Sequence, residues 1–322
     1  MHAATEPPPQ PEHRQWLDDW SRQLLAESPS PSHPWLDEPD DNLHGDGGQV
    51  AAVDFQTTVG PPPPRADEPW TWQVMPSGLL YSSYLAGTKE PRFAAQWNRD
   101  RRLGPVWDTA IGGRLGILRY GTTDPILPSG WQVDLEGGFQ ARLDPTEDSM
   151  PLTSVDFRIG VPITWANGPW QFKTGYYHVS AHLGDEYMLM HPTAQRLNYV
   201  RDAAMLGVGY YWTEMLRLYC EVAYAASVSD GAEPWEFQFG VDYAPAGDTG
   251  LRGAPFAAFN AHLREEVGFG GNLVIQFGWA WRHDPRGPLF RAGLQYYRGK
   301  SGQYEFYDQS ERLIGWGLWA DF

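Results

Sequence analysis

The residues best placed to do chemistry lie together in Tyr177-His-Val-Ser-Ala-His-Leu-Gly-Asp-Glu-Tyr187. In an extended chain His178, Ser180 and His182 share one face, and Asp185 and Glu186 follow at the entry to a loop. A serine nucleophile needs a base within hydrogen-bond reach of its hydroxyl, and an acid or amide that orients the base. His178 would be the base, Ser180 the nucleophile, and Asp185, Glu186 or Asn198 the orienting group. A metal centre built on His178, His182 and Asp185 fits less well, because histidines four apart on a strand stand about 13 Å from each other and cannot share one ion directly. The competing reading is structural: the trio joins a polar network or braces the loop containing Asp185 and Glu186. Neither a metal nor an organic cofactor is called for by these residues.

The elements that must position this trio are strands. In Trp131 to Leu143 the odd positions are Trp, Val, Leu, Gly, Phe, Ala and Leu, and the even ones are Gln, Asp, Glu, Gly, Gln and Arg. The same period of two runs through 155–165, 235–243 and 273–281, with similar runs at 107–119, 170–183, 200–211, 216–228, 256–264 and 289–298. The chain ends in Ile314, Trp316, Leu318, Ala320 and Phe322 on one face, closed by a bare aromatic carboxy-terminus. Strands near ten residues long, with full-size aromatics on one face and charges on the other, suit a tilted crossing of a bilayer.

The expectation is an all-β fold, an antiparallel transmembrane β-barrel of about 12 strands over residues 77–322, the first strand beginning near Arg92. Leu79 to Leu85 would be a thirteenth strand added at an edge. Trp107, Trp131, Trp165, Trp170, Trp212 and Trp235 cluster at segment ends, as an aromatic girdle requires. A charge facing lipid at mid-membrane costs about 2–4 kcal/mol, falling towards zero at the interface. By parity Arg119, Lys173 and Asp202 are on the apolar face, each at the end of its segment, and His178, Ser180 and His182 point inward beside Thr174 and Tyr176. The inward set includes Arg114, Asp134, Glu136, Arg142, Asp156, Arg158, Arg217, Glu221, Glu236, Asp242, His262, Arg264 and Arg291. Both signs interleave on neighbouring strands, which predicts a lumen blocked by matched charges rather than an open pore.

Composition narrows the partners. The formal net charge is −16, with three lysines (Lys89, Lys173, Lys300), so nucleic acid is a poor partner. Cys220 is the single cysteine, which leaves no internal disulfide, and alternation sets it on the apolar face. No apolar run is long enough for a transmembrane helix, and a mean hydropathy of −0.49 is compatible with strands that are half polar. Residues 1–76 are rich in Pro and acid and read as a disordered extension, in which Arg14 to Ala26 has the pattern of one short amphipathic helix. No basic segment followed by an apolar one marks a secretory signal, although a bacterial outer-membrane location would require export.

Two resemblances sharpen the picture. Pro76-Ser-Gly-Leu-Leu-Tyr-Ser-Ser-Tyr-Leu-Ala-Gly-Thr-Lys-Glu-Pro-Arg-Phe93 and the segment Tyr177 to Tyr187 resemble a bacterial envelope family, domain of unknown function 1207, over roughly residues 75–322. That resemblance implies an outer-membrane barrel without an assigned activity. The terminal strand ending in Phe322, with Gly317 before it, is similar to those that the barrel-assembly machinery receives. The His178-Val-Ser180 spacing is similar to that of outer-membrane phospholipase A and lipid A deacylase, barrels with active sites at the rim. In those enzymes an Asn follows the Ser closely, whereas position 181 here is Ala. Three roles therefore stand: a barrel whose external loops bind at the cell surface, a rim serine hydrolase acting on outer-membrane lipid esters, and a narrow solute channel.

Overall fold

The computed structural model describes residues 68–322, so the extension and the helix expected at 14–26 lie outside the described residues except for its last few positions. Twelve strands form a closed antiparallel barrel: β2 (Phe93–Asp100), β3 (Gly104–Gly121), β4 (Gly130–Leu143), β5 (Leu152–Asn167), β6 (Trp170–Leu183), β7 (Val200–Tyr211), β8 (Leu216–Ser229), β9 (Trp235–Tyr243), β10 (Ala254–Arg264), β11 (Gly271–Trp281), β12 (Leu289–Lys300) and β13 (Ser310–Asp321). Each pairs with its neighbour in sequence, and β13 closes on β2, with Trp316 opposite Trp97 and Leu318 opposite Ala95. Closure removes the open edges that a flat sheet would leave unpaired. A short strand β1 (Thr71–Val74) pairs with Leu118–Gly121 of β3, the part of β3 that extends beyond the reach of β2.

Alternation sorts the side chains as expected on most strands. Leu135, Ile159, Val161, Phe239, Phe277, Leu294, Ile314 and Leu318 are exposed on the outside, forming an apolar belt. Trp97 stacks on both Trp107 and Trp316 across β2, β3 and β13, an aromatic group shared by three strands. Asp134, Glu136, Asp156, Arg217, Arg264 and Arg291 are buried inside.

Three expectations fail for identifiable reasons. Leu79 to Leu85 is not a strand. The chain from Pro76 to Arg92 passes through the lumen, where Leu80, Tyr81, Tyr84, Ala86, Lys89, Glu90 and Arg92 are buried. Its apolar residues come in adjacent runs (Leu79-Leu80-Tyr81, Tyr84-Leu85) without the period of two, and its polar groups pair with the barrel wall rather than with a neighbouring strand. The Arg114 guanidinium donates to the Tyr81 carbonyl (3.1 Å), Tyr84 Oη donates to Glu221 (2.9 Å), and Arg291 donates to the Leu85 carbonyl (3.0 Å). Lys89 pairs with Asp156, and Arg92 with Asp321 at 2.9 Å. Gly207 makes room for this plug: a Cβ there would stand 3.0 Å from Tyr81 Oη and 3.1 Å from Tyr84 Oη.

Arg119 is buried inside, not on the apolar face, because β3 contains a bulge between Gly116 and Leu118. The extra residue leaves Ile117 and Leu118 both exposed and reverses the parity beyond them. Lys173 is likewise inside, its ammonium 2.5 Å from Glu221 and over the rings of Tyr81 and Tyr84. On β6 the inward residues are therefore the odd ones, which sends His178, Ser180 and His182 to the outer face. Parity misled here because both faces of β6 mix apolar and polar residues. Tyr177, Val179 and Ala181 find an apolar interior made with Tyr199, Met205 and Tyr304, where a polar lumen was expected.

The two ends of the barrel differ. At the end bearing Phe322 the turns after β5 and β7 are tight but the connections 122–129 and 244–253 are long; at the far rim 144–151, 184–199 and 301–309 are long and 101–103 is tight. The 184–199 connection contains α1 (Asp185–Met190). It is tied to the last long loop where Leu197 N donates to the Glu305 carboxylate (2.9 Å), whose pKa burial pushes up. Inside, cavities of about 120 Å³ and about 60 Å³ remain around the plug.

Candidate active site on the outer face

The far-rim ends of β6 and β7 pair directly, with His178 opposite Asp202, Ser180 opposite Val200 and Tyr176 opposite Ala204. Because β6 turns its even residues outward, and β7 does the same with Asp202, an imidazole and a carboxylate meet on the face of the barrel that carries the apolar belt. His178 Nδ1 is 2.8 Å from Asp202 Oδ1, and their side chains are 34% and 33% exposed, half sheltered by the neighbouring strands. The same carboxylate oxygen accepts a hydrogen bond from Tyr176 Oη.

This arrangement fixes the protonation of the ring. A carboxylate only accepts, so Nδ1 must carry the hydrogen, and in the neutral imidazole the free lone pair is then on Nε2. Ser180 is the next residue on the same face of β6, about 6.6 Å away between Cα atoms, a spacing that an imidazole ring can bridge to a hydroxyl. Among the described residues Ser180 makes no hydrogen bond to His178, and catalytic contacts of this kind commonly tighten only with substrate present. A bulge in β8 beside Asp202, where the pairing shifts between Asp202 and Ala203, sharpens the local twist.

The other candidates are placed elsewhere. His182 continues along the outer face, its ring 5.9 Å from that of Phe157. Asp185 is exposed at the start of α1, and Glu186, also exposed, accepts from Leu152 N at 3.1 Å, tying α1 to β5. Asn198 is exposed in the loop, with a positive φ of 52°. None of the three is the residue bonded to His178. The residue that is, Asp202, was visible in the sequence only as a charge on the wrong face of an otherwise apolar pattern. Its pairing to His178 depends on the register across a sixteen-residue connection (184–199), which alternation does not determine.

A closed antiparallel barrel with an apolar outer belt, aromatic residues grouped on its outer face and a plugged lumen defines an outer-membrane-type β-barrel protein. The chain belongs to the family described as Protein of unknown function (DUF1207), whose model matches residues 66–322. No curated protein sequence matches it. Among solved structures it is similar to outer membrane phospholipase A from Escherichia coli, at 11% identity and a TM-score of 0.47, covering 72% of this chain and 92% of that one. The Salmonella typhi outer membrane phospholipase dimer with bound calcium gives 11% identity and a TM-score of 0.48, over 72% and 90% of the two chains. A mutant Rhodopseudomonas blastica porin gives 9% and 0.31, over 72% and 98%.

Proposed function

We propose that this barrel resides in the bacterial outer membrane and hydrolyses lipid esters at its outer face, with Ser180 as nucleophile, His178 as base and Asp202 as the orienting acid. The observation that carries this reading is the His178–Asp202 contact at 2.8 Å on the belt side. The pair lies near the rim ends of β6 and β7, where an outward charge costs little and where it would meet the ester groups of a lipid. An imidazole held by a carboxylate, with a serine two residues on along the same outward face, is the pairing that a serine nucleophile needs.

In the acylation step the Ser180 hydroxyl proton passes to His178 Nε2 as Oγ bonds to the ester carbonyl carbon. The carbon–oxygen bond to the alcohol breaks, and the alcohol leaves with that proton. A water then gives a proton to His178 and attacks the acyl-serine, releasing the fatty acid and restoring Ser180. Asp202 holds the ring in the required tautomer and stabilises the imidazolium formed in both steps.

The plugged lumen gives the solute-channel reading less support, and a role confined to loop binding leaves the outward pairing of His178 with Asp202 unexplained. The test is fatty-acid release from phospholipid by the full chain folded in detergent micelles, with folding checked by heat-modifiable migration on gels. Ser180→Ala should abolish release, and Asp202→Asn should lower kcat by on the order of 10⁴, the loss expected when the orienting acid becomes an amide. Equal release by folded Ser180→Ala, or none by folded wild-type protein, would defeat the proposal.

A further inference from the structure

The row of side chains just below the His178–Asp202 pair contains a gap. Tyr176 on β6 stands opposite Ala204 on β7, Ala204 opposite Tyr224 on β8, and Tyr224 opposite Trp235 on β9. All four face outward. Tyr176 and Tyr224 are each 47% exposed, and the Tyr224 and Trp235 rings meet edge-on at 4.9 Å. Directly opposed Cβ atoms stand about 4.5–5.5 Å apart, so the lone methyl of Ala204 forms a notch walled by two tyrosines. Tyr176 does not fill it, because its hydroxyl is drawn towards the rim by Asp202. On the rim side the notch ends at Asp202. On the membrane side it continues to Leu206, 60% exposed, at the next outward position of β7.

We infer that this notch over Ala204 seats the fatty acyl chain of the lipid ester whose carbonyl lies at Ser180. The inference rests on the hydrolase reading and adds to it a preference for long chains. Ser180 is four residues nearer the rim than Tyr176, about 13 Å along the strand. An acyl chain must therefore exceed roughly ten carbons before it reaches across the tyrosine row at about 3.3 Å of strand per residue. The occupant is argued from the surroundings: the notch opens on the apolar belt, is continuous with the ionisable pair, and has aliphatic and aromatic walls. A phosphate head group would meet the Asp202 carboxylate at the rim end of the notch, and that charge repels it.

The deciding measurement is the ratio of kcat/KM for dipalmitoyl over dihexanoyl phosphatidylcholine in mixed detergent micelles, using the full chain. Ala204→Trp fills the notch and should lower that ratio about tenfold, the usual scale for obstructing an apolar substrate pocket. Ala204→Leu, a smaller obstruction that serves if the tryptophan variant fails to fold, should lower it less. A ratio unchanged in both folded variants, with the wild-type protein active, would overturn the notch and leave the hydrolase standing. Absence of hydrolysis by folded wild-type protein would overturn both.

Discussion

The inside and the outside of this barrel treat charge in opposite ways. Inside, several of the large ionic groups have more than one partner. Glu136 receives Arg114 through Nε (3.0 Å) and Nη2 (2.8 Å), and Arg158 through Nε at 2.9 Å. Arg142 is gripped by Asp108 and Glu311 together. The plug then brings its own carbonyls, tyrosines and Lys89 to the same network. Outside, Asp202 has only an imidazole and a phenol for company, and one carboxylate oxygen takes both bonds. The interior set is what a sealed lumen needs if charges are to be buried at all. The outer set has no such network around it, and on the function proposed above it serves the reaction instead of the architecture. Half-exposed geometry also suits it to meet a substrate, which a fully paired charge cannot do.

The largest effect that would sharpen this contrast comes from the plug. Replacing 79–90 with a flexible Gly/Ser linker of equal length removes Tyr81, Tyr84, Leu85 and Lys89 from the lumen. The expected outcome is a change from no single-channel conductance in planar bilayers to a measurable one, since side chains of the wall alone do not fill the space that Tyr81 and Tyr84 now occupy. Conductance already present in the wild-type chain would contradict a sealed lumen. Next in size is Glu136→Ala, which leaves two buried guanidinium groups facing one another and should destabilise the barrel by about 3–5 kcal/mol. Asp202→Asn should behave oppositely, leaving stability within about 0.5 kcal/mol or raising it, because it removes a charge from the lipid side. Urea unfolding followed by tryptophan fluorescence reads both. Comparable losses in the two variants would erase the distinction between inside and outside.

Most of the architecture was legible in the residues, and the exceptions have a common origin. Strands such as Trp170–Leu183, Val200–Tyr211 and Trp235–Tyr243 fall on the expected segments because a barrel strand must alternate along its whole length. Alternation gives a period but not an absolute sense. On β6 the sense was fixed by Lys173, which reaches Glu221 of β8 over Gly207, the glycine of the strand between them. That partner is brought near by the registers of β6, β7 and β8, which a single strand does not reveal. The bulge that turns Arg119 inward is signalled only by two adjacent apolar residues, Ile117 and Leu118. The plug was legible only as a break in the pattern: Tyr81 and Tyr84, three apart, would fall on opposite faces of a strand, yet both are buried together in the lumen. For the candidate site, His178 and Ser180 came directly from spacing. Asp202 required register, and register across a long loop is set by tertiary pairing.

The smallest of these effects is the most discriminating, because it separates orientation from contact. Tyr176 shares Asp202 Oδ1 with His178 but belongs to no step of the proposed chemistry. Tyr176→Phe keeps the ring and the outward face while deleting one hydrogen bond, and a short-chain ester that does not reach the notch is the substrate that reads it. A hydrogen bond to a charged group of this kind contributes about 1.5–3 kcal/mol, so the carboxylate loses one of its two restraints and the imidazole is held less firmly. We expect kcat to fall roughly tenfold at the lower end of that range, with KM and barrel stability little changed. A fall as steep as that of Asp202→Asn would mean that the phenol itself touches the reacting atoms, and the site would have to be redrawn around Tyr176. An unchanged kcat would mean that His178 alone positions Asp202, and that the tyrosine is a girdle residue whose hydroxyl found the nearest acceptor.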